Sequence, residues 1–207
     1  MNSEELVKNV LKDVEAFSIN DVPNIELYMD QVTTYLNNKF SASKRYEDDK
    51  LLTKTMINNY AKSRLLPPLE KKKYSKDHII VLALIFFFKN VISINDVTTV
   101  LKPLLDKYFH NEETPLEDIV NVFLNYVQNS DMTNPIIDEF HDSIKIFENV
   151  ESDDKEYLQT LGLISMLSYD MFVRKMLIEK LIDSLPENEE SKTPKENKKD
   201  HNKKETD

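Results

Sequence analysis

The sequence has no cysteine and only one glycine, Gly162. Without cysteine there is no disulfide framework, no thiolate metal site and no cysteine nucleophile, and the reducing cytosol is the expected compartment. With one glycine, the phosphate-cradling patterns G-x-x-x-x-G-K-[ST] and G-x-G-x-x-G are absent, which removes P-loop nucleotidases, Rossmann dehydrogenases and protein kinases. Scarce glycine also disfavours a sheet-rich fold, because tight hairpins want a residue that tolerates positive φ. Long apolar runs are short in supply too. The longest, IIVLALIFFF from Ile79 to Phe88, is ten residues, against about 20 for a helix that crosses a bilayer. The first residues, MNSEELVKNVLKD, are acidic and amphipathic rather than a basic start followed by an apolar run, so no signal peptide is expected. The expectation is an all-α cytoplasmic protein with no membrane association.

What is present suffices for a core, with 40% apolar residues in a chain of 207. Helical spacing predicts helices over Ser3–Phe17 and Glu26–Phe40, separated by a loop with Pro23 as breaker. Ser75 is placed to cap a helix to about Asn90 that reads as buried, since IIVLALIFFF leaves little outward face. Another helix starts at Ser93 and runs to about Phe109 unless Pro103 kinks or ends it. Thr114-Pro115-Leu116-Glu117 gives three agreeing start signals for a helix with Ile119, Val120, Phe123, Leu124 and Val127 inward. Asn134-Pro135 opens the next, with Ile137, Phe140, Ile144 and Phe147 inward. From Asp154 to Leu185 one long pattern carries too many apolar residues for a single stripe, so neighbours or a second subunit should enclose it. Gly162 within it either permits close helix approach or marks a weak turn. The last stretch, Pro186 to Asp207, has no apolar residue except proline, and six lysines nearly balance seven acids, the composition of a disordered tail.

Charge singles out one segment. Between Lys39 and Ile80 there are eleven Lys or Arg against five acids, a balance of +6, whereas the whole chain is at −10 and everything else therefore sums to −16. A basic island in an acidic protein marks a place for a polyanion, although ordinary solvated lysines would give the same count. Within the island, LLTKTMINNYAKSRLLPPLEKKKYSKD (Leu51 to Asp77) sets a short polar helix, a Pro-Pro turn and three lysines in succession. Thr53 is a plausible N-cap, Met56, Ile57 and Tyr60 form a narrow apolar stripe, and Asn58, Asn59, Lys62 and Arg64 face outward. Pro67 should stop this helix by Leu66.

Chemistry finds less support. His78, His110 and His141 fall on different predicted elements and His201 in the tail, so no histidine pair has metal-ligand spacing. Asp138, Glu139, His141 and Asp142 form an acidic cluster that a solvated helix face explains. No serine context suggests a nucleophile elbow. No catalytic residue, metal site or cofactor is expected, and an enzyme is the least favoured class.

The segment MINNYAKSRLLPPLEKKKYS (Met56 to Ser75) resembles the MerR-type winged helix-turn-helix, whose pattern is a Thr-Leu-Arg-Tyr-Tyr helix, a Gly-Leu-Leu-x-Pro turn and an Arg-Arg-Tyr-Ser wing. More closely, ELYMDQVTTYL through LLTKTMINNYAK to KYSKDHI, about Val22 to Leu105, is similar to a bacterial family of unknown function, domain 1836, that carries a MerR-like motif. The resemblance puts Tyr60 at the phosphate-contacting tyrosine, Leu65 and Leu66 at the core leucines of the turn, and Lys72, Lys73 and Tyr74 in the wing. Asn58 replaces the helix arginine, Asn59 the first tyrosine and Arg64 the turn glycine, and the wing glycine is missing. Asparagine can still read adenine through two hydrogen bonds. The turn between the two helices of the motif also looks lengthened.

The resemblance implies an all-α fold with a small wing followed by a C-terminal helical bundle. Residues 1–25 would be an N-terminal helix and linker, 26–110 the winged helix-turn-helix region, 111–185 a dimerisation or partner region and 186–207 the tail. It implies double-stranded DNA as partner, a homodimer and a transcriptional regulator, with Thr53, Lys54, Thr55, Asn58, Asn59, Tyr60, Lys62, Arg64, Lys71, Lys72, Lys73 and Tyr74 at the nucleic acid. No small-molecule effector can be named. The other open reading is a helical protein-interaction module whose winged helix no longer binds DNA.

Overall fold

The computed structural model describes residues 18–129, 133–150 and 154–186, together with Glu5 and Asn9. The predicted helix Ser3–Phe17, those two helical positions apart, and the tail after residue 186 lie outside the described residues. The elements are β1 (Leu27–Tyr28), α1 (Met29–Lys39), α2 (Lys54–Lys62), β2 (Lys73–Tyr74), α3 (Lys76–Lys89), α4 (Ile94–Tyr108), α5 (Leu116–Asn129), α6 (Thr133–Ile146) and α7 (Lys155–Asp183), with short 3-10 turns at Ile19–Asp21 and Ser41–Ser43. The described residues are thus mostly helical, as expected, with one small antiparallel sheet that pairs Leu27 with Tyr74 and Tyr28 with Lys73.

α3 is the axis of the core because it has no polar face: every residue from His78 to Phe86 is buried. Around it lie Val32 and Leu36 of α1, Ile57 and Tyr60 of α2, Val97 and Leu101 of α4, and Leu116 and Val120 of α5. Each such aliphatic residue contributes about 1.5–3 kcal/mol of burial. Phe40, at the end of α1, stacks on Phe86 with ring centroids 4.3 Å apart. Thr53, Ser75 and Ser93 cap α2, α3 and α4 as the sequence predicts.

Several expectations are corrected. The first helix starts at Met29 rather than Glu26, because Leu27 and Tyr28 are drawn into the sheet and Gln31 caps the Tyr28 N–H at 2.9 Å. α4 runs through Pro103 unbroken to Tyr108. On α5, Leu116 and Val120 are buried, but Phe123 and Val127, expected inward, are 38% and 53% exposed. α6 and α7 pack along each other, and a Cβ built on Gly162 would meet the Phe147 ring at 3.0 Å, so this glycine does serve a close approach. At its far end α7 returns to the main core through Ile178 and Ile182.

Candidate nucleic-acid interface

α2 is nine residues, about 14 Å at 1.5 Å per residue. It buries Ile57 and Tyr60 and exposes Lys54, Thr55, Asn58, Asn59 and Lys62, a face without a single acid. Its start is held by two devices. The Thr53 hydroxyl accepts the Met56 N–H at 3.2 Å, and the Asn37 side chain on α1 pairs with both backbone groups of Leu52, donating to its carbonyl at 2.8 Å and accepting from its N–H at 3.2 Å. Lys89 donates to the carbonyl of Leu51 at 2.9 Å. These bonds order a connection of residues 40–53, which is long for a helix-turn-helix, where 3–4 residues are usual.

The end of α2 is a Schellman motif. The Leu65 N–H bonds the Tyr60 carbonyl at 2.9 Å and the Arg64 N–H the Ala61 carbonyl at 3.1 Å, with Leu65 buried behind. The residue between must be left-handed, and it is Arg64, at φ 60°. After Pro67-Pro68 the chain makes a second left-handed turn. Lys71 and Lys72 have φ of 48° and 61°, and the Lys73 N–H donates to the Glu70 carbonyl at 2.9 Å. Two successive positive φ values with that bond describe a type I′ turn, for which Asn-Gly is the favoured sequence. A left-handed L-residue costs about 1–2 kcal/mol. Of the four non-glycine residues with positive φ among the described residues, three are cations of this one segment, the fourth being His110.

The twelve predicted contact residues divide into four groups. Thr55, Asn58, Asn59, Lys62, Arg64, Lys71 and Lys72 are exposed, and the four cations among them make no ion pair among the described residues. Lys54 and Lys73 are instead engaged, with Asp30 at the start of α1 and with Glu26 at 3.0 Å before β1. The Lys73 ammonium is held above its ordinary pKa by the Glu26 hydrogen bond and charge. Tyr60 and Tyr74 are core residues, 7% and 2% exposed, and Tyr74 donates to the Met29 sulfur at 3.4 Å; burial raises both phenols. Tyr60 and Tyr74 are therefore corrected from contact to support. Thr53 is the cap described above. Arg64 and Lys71 are seven residues apart, so at most about 25 Å of chain separates the two exposed pairs.

Sequence reasoning missed the cluster at the junction of β2 and α3. The Ser75 backbone N–H donates to His78 Nδ1 at 3.2 Å, which leaves the His78 proton on Nε2. The Ser75 hydroxyl lies 2.7 Å from His78 Nδ1 and 2.8 Å from His110 Nε2. The His110 N–H bonds Asp77 at 2.8 Å. His78 is 2% exposed and its Nε2 lacks a well-formed hydrogen bond. Burial therefore lowers its pKa, with the Pro68 and Pro67 carbonyls opposing from positions too poor for full bonds, and His110 and Asp77 contributing in opposite senses. A serine between two histidines suggests a nucleophile. This one is committed to capping α3, and Asp77 holds the backbone of His110 rather than its ring. The capping signal at Ser75 was legible, but His110 arrives from 35 residues away.

Two shallow depressions flank the segment. One, about 380 Å³, lies between the Pro67-Pro68 turn and α4, lined in part by Arg64, Thr98, Lys102 and Phe109. The other, about 420 Å³, has Glu26, Asp77, Glu112, Glu117 and His110 in its wall, so the ground behind β2 is acidic. Among the described residues no group of three or more histidines or acids is arranged to hold a metal ion, and no helix is long and apolar enough to cross a membrane.

No curated protein and no solved structure matches the chain. The family model described as "Domain of unknown function (DUF1836)" matches residues 17–123, just over half of the 207 residues, from the first 3-10 turn into α5. The chain belongs to the DUF1836 family.

Proposed function

We propose that this protein binds double-stranded DNA through α2 and the Lys71–Lys72 turn and acts as a non-enzymatic transcriptional regulator of MerR-like type in the cytoplasm. The observation that carries the proposal is the strain: Arg64, Lys71 and Lys72 occupy backbone positions that suit glycine or asparagine, each at a conformational cost. Backbone strain of this kind clusters at functional sites, and what these three residues add over glycine is a cation on a stem. In the proposed complex α2 enters the major groove, Asn58 and Asn59 meet base edges, and Lys62, Arg64, Lys71 and Lys72 neutralise phosphates. Lys54 joins them by leaving Asp30, since an ion pair this exposed is worth about 0–1 kcal/mol. Reading two half-sites requires two copies, hence a homodimer. Recovery and sequencing of genomic fragments bound by the full chain tests the reading. Enrichment of a recurring site supports it, and an unenriched background refutes sequence-specific regulation.

A second reading is favoured by the pairing of Lys54 with Asp30 and Lys73 with Glu26 and by the long connection 40–53. It makes the chain a helical interaction module that retains the motif without DNA recognition. Absence of duplex binding even at low salt, where phosphate contacts are strongest, would favour it.

A further inference from the structure

α7 is supported at both ends and bare in the middle. Its first half lies on α6, and Ile178 and Ile182 reach the main core. Between them, all seven residues from Met171 to Leu177 are exposed, so none of the other described residues covers these two full turns of helix on any side. Five of the seven are apolar: Met171, Phe172, Val173, Met176 and Leu177, each between 45% and 65% exposed. A helix apolar all round belongs inside something.

We infer that the exposed span of α7 is the surface on which a second copy of this chain docks, α7 against α7. This deepens the homodimer expectation and does not rest on DNA binding. The first argument is area. Past the stretch that lies on α6, eight apolar residues between Tyr169 and Leu185 are each at least 41% exposed. At roughly 200 Å² per large side chain, about half exposed, they leave on the order of 800 Å². That exceeds the roughly 300–600 Å² of the largest patch on most monomers and matches the roughly 800 Å² each partner gives to a standard interface.

The second argument is charge. Residues 103–185 carry six bases against seventeen acids, and the chain as a whole is at −10, so two copies repel over most of their surface. The span Asp170 to Asp183 is the exception. It holds three bases, Arg174, Lys175 and Lys180, and three acids, Asp170, Glu179 and Asp183. These neutralise one another along the helix: Arg174 with Asp170 at 2.7 Å, Lys175 with Glu179 at 3.9 Å and Lys180 with Asp183 at 3.6 Å. A foreign partner drawn by charge would find none here. An acidic molecule meeting its own copy needs a neutral apolar strip of this kind, and a two-fold interface uses the same patch on both sides.

The test is sedimentation of the full chain at micromolar concentration, beside Phe172→Glu/Met176→Glu and the control Val122→Glu on exposed α5. Both glutamates sit on exposed helix, and circular dichroism checks that each variant folds. The expected result is a species of twice 24.3 kDa for the wild type and for the control, with the α7 variant dissociating at least about 100-fold more readily, as loss of two central anchors implies. A monomeric wild type overturns the inference, as does a dimer that survives the α7 glutamates or is lost in the control. Lys71→Ala/Lys72→Ala separates the two proposals. A dimer that never binds DNA removes the regulator and leaves the seam, whereas DNA binding by a monomer does the reverse.

Discussion

Replacing Lys71 with Asn and Lys72 with Gly should make the protein more stable and a poorer DNA binder at once. Both lysines hold positive φ in the Glu70–Lys73 turn, at 48° and 61°. Relief of left-handed strain is worth about 1–2 kcal/mol per residue, and glycine returns about 0.5–1 kcal/mol of that through greater freedom when unfolded. The net gain is on the order of 1–3 kcal/mol, or roughly 3–9 °C in Tm for a domain of this size. Neither lysine makes an ion pair among the described residues, so no lost contact offsets the gain. If both touch phosphate, the slope of log Kobs against log[salt] falls by about 1.8, at 0.9 per contact. Thermal unfolding and fluorescence anisotropy with duplex DNA read the two effects separately. Lys71→Ala/Lys72→Ala is the companion, removing the charges while keeping the strain, and should weaken binding without raising Tm. A lower Tm in the Asn-Gly variant would refute the strain assignment, and an unchanged salt slope would refute the phosphate role.

Other outcomes follow from the packing. Asn37→Ala strands both backbone groups of Leu52, and at about 1–3 kcal/mol for each unpaired group should cost roughly 2–6 kcal/mol in urea titrations. A loss within experimental error would show that water replaces the amide. Gly162→Leu drives a side chain into the Phe147 ring that already limits a Cβ to 3.0 Å; partial proteolysis should then release the α6–α7 hairpin sooner, and an unchanged digest would mean the helices part freely. His78 gives a pH dependence. Its folded pKa is lowered by burial, so the unfolded chain binds more protons and stability rises with pH through that range. The stability it supports is complete above the ordinary histidine value of about 6.5 and is lost as pH falls toward the lower folded value. His78→Gln should lose less stability than wild type between neutral and mildly acidic pH, and parallel curves would remove His78 as the cause.

Element identity was legible where one signal dominated. Ser75 before IIVLALIFFF, Thr53 before α2 and Ser93 before α4 each combine a cap with an apolar pattern, and each helix begins there. Leu27–Tyr28 was misread as helix because its strand partner, β2, lies some 45 residues away and no local periodicity marks a two-residue strand. Lys54 and Lys73 were counted as free cations for the same reason: Glu26 is 47 residues from Lys73, and sequence spacing says nothing about such pairs. Tyr60 sat on the predicted apolar stripe and is buried accordingly, a local reading that prevails over the contact role taken from resemblance. The missing glycines were visible as departures, but the consequence was not. Only the backbone shows that Arg64, Lys71 and Lys72 adopt left-handed conformations that suit glycine.

The most direct measurement is the salt dependence of duplex binding by the full chain and by Lys62→Ala/Arg64→Ala/Lys71→Ala/Lys72→Ala. The wild type should bind with a log–log slope of about −3.6 or steeper, four phosphates at 0.9 each, and the variant should bind weakly with a nearly flat line. Equal slopes for the two proteins, or no wild-type binding at the lowest salt, would contradict a DNA-facing cationic surface.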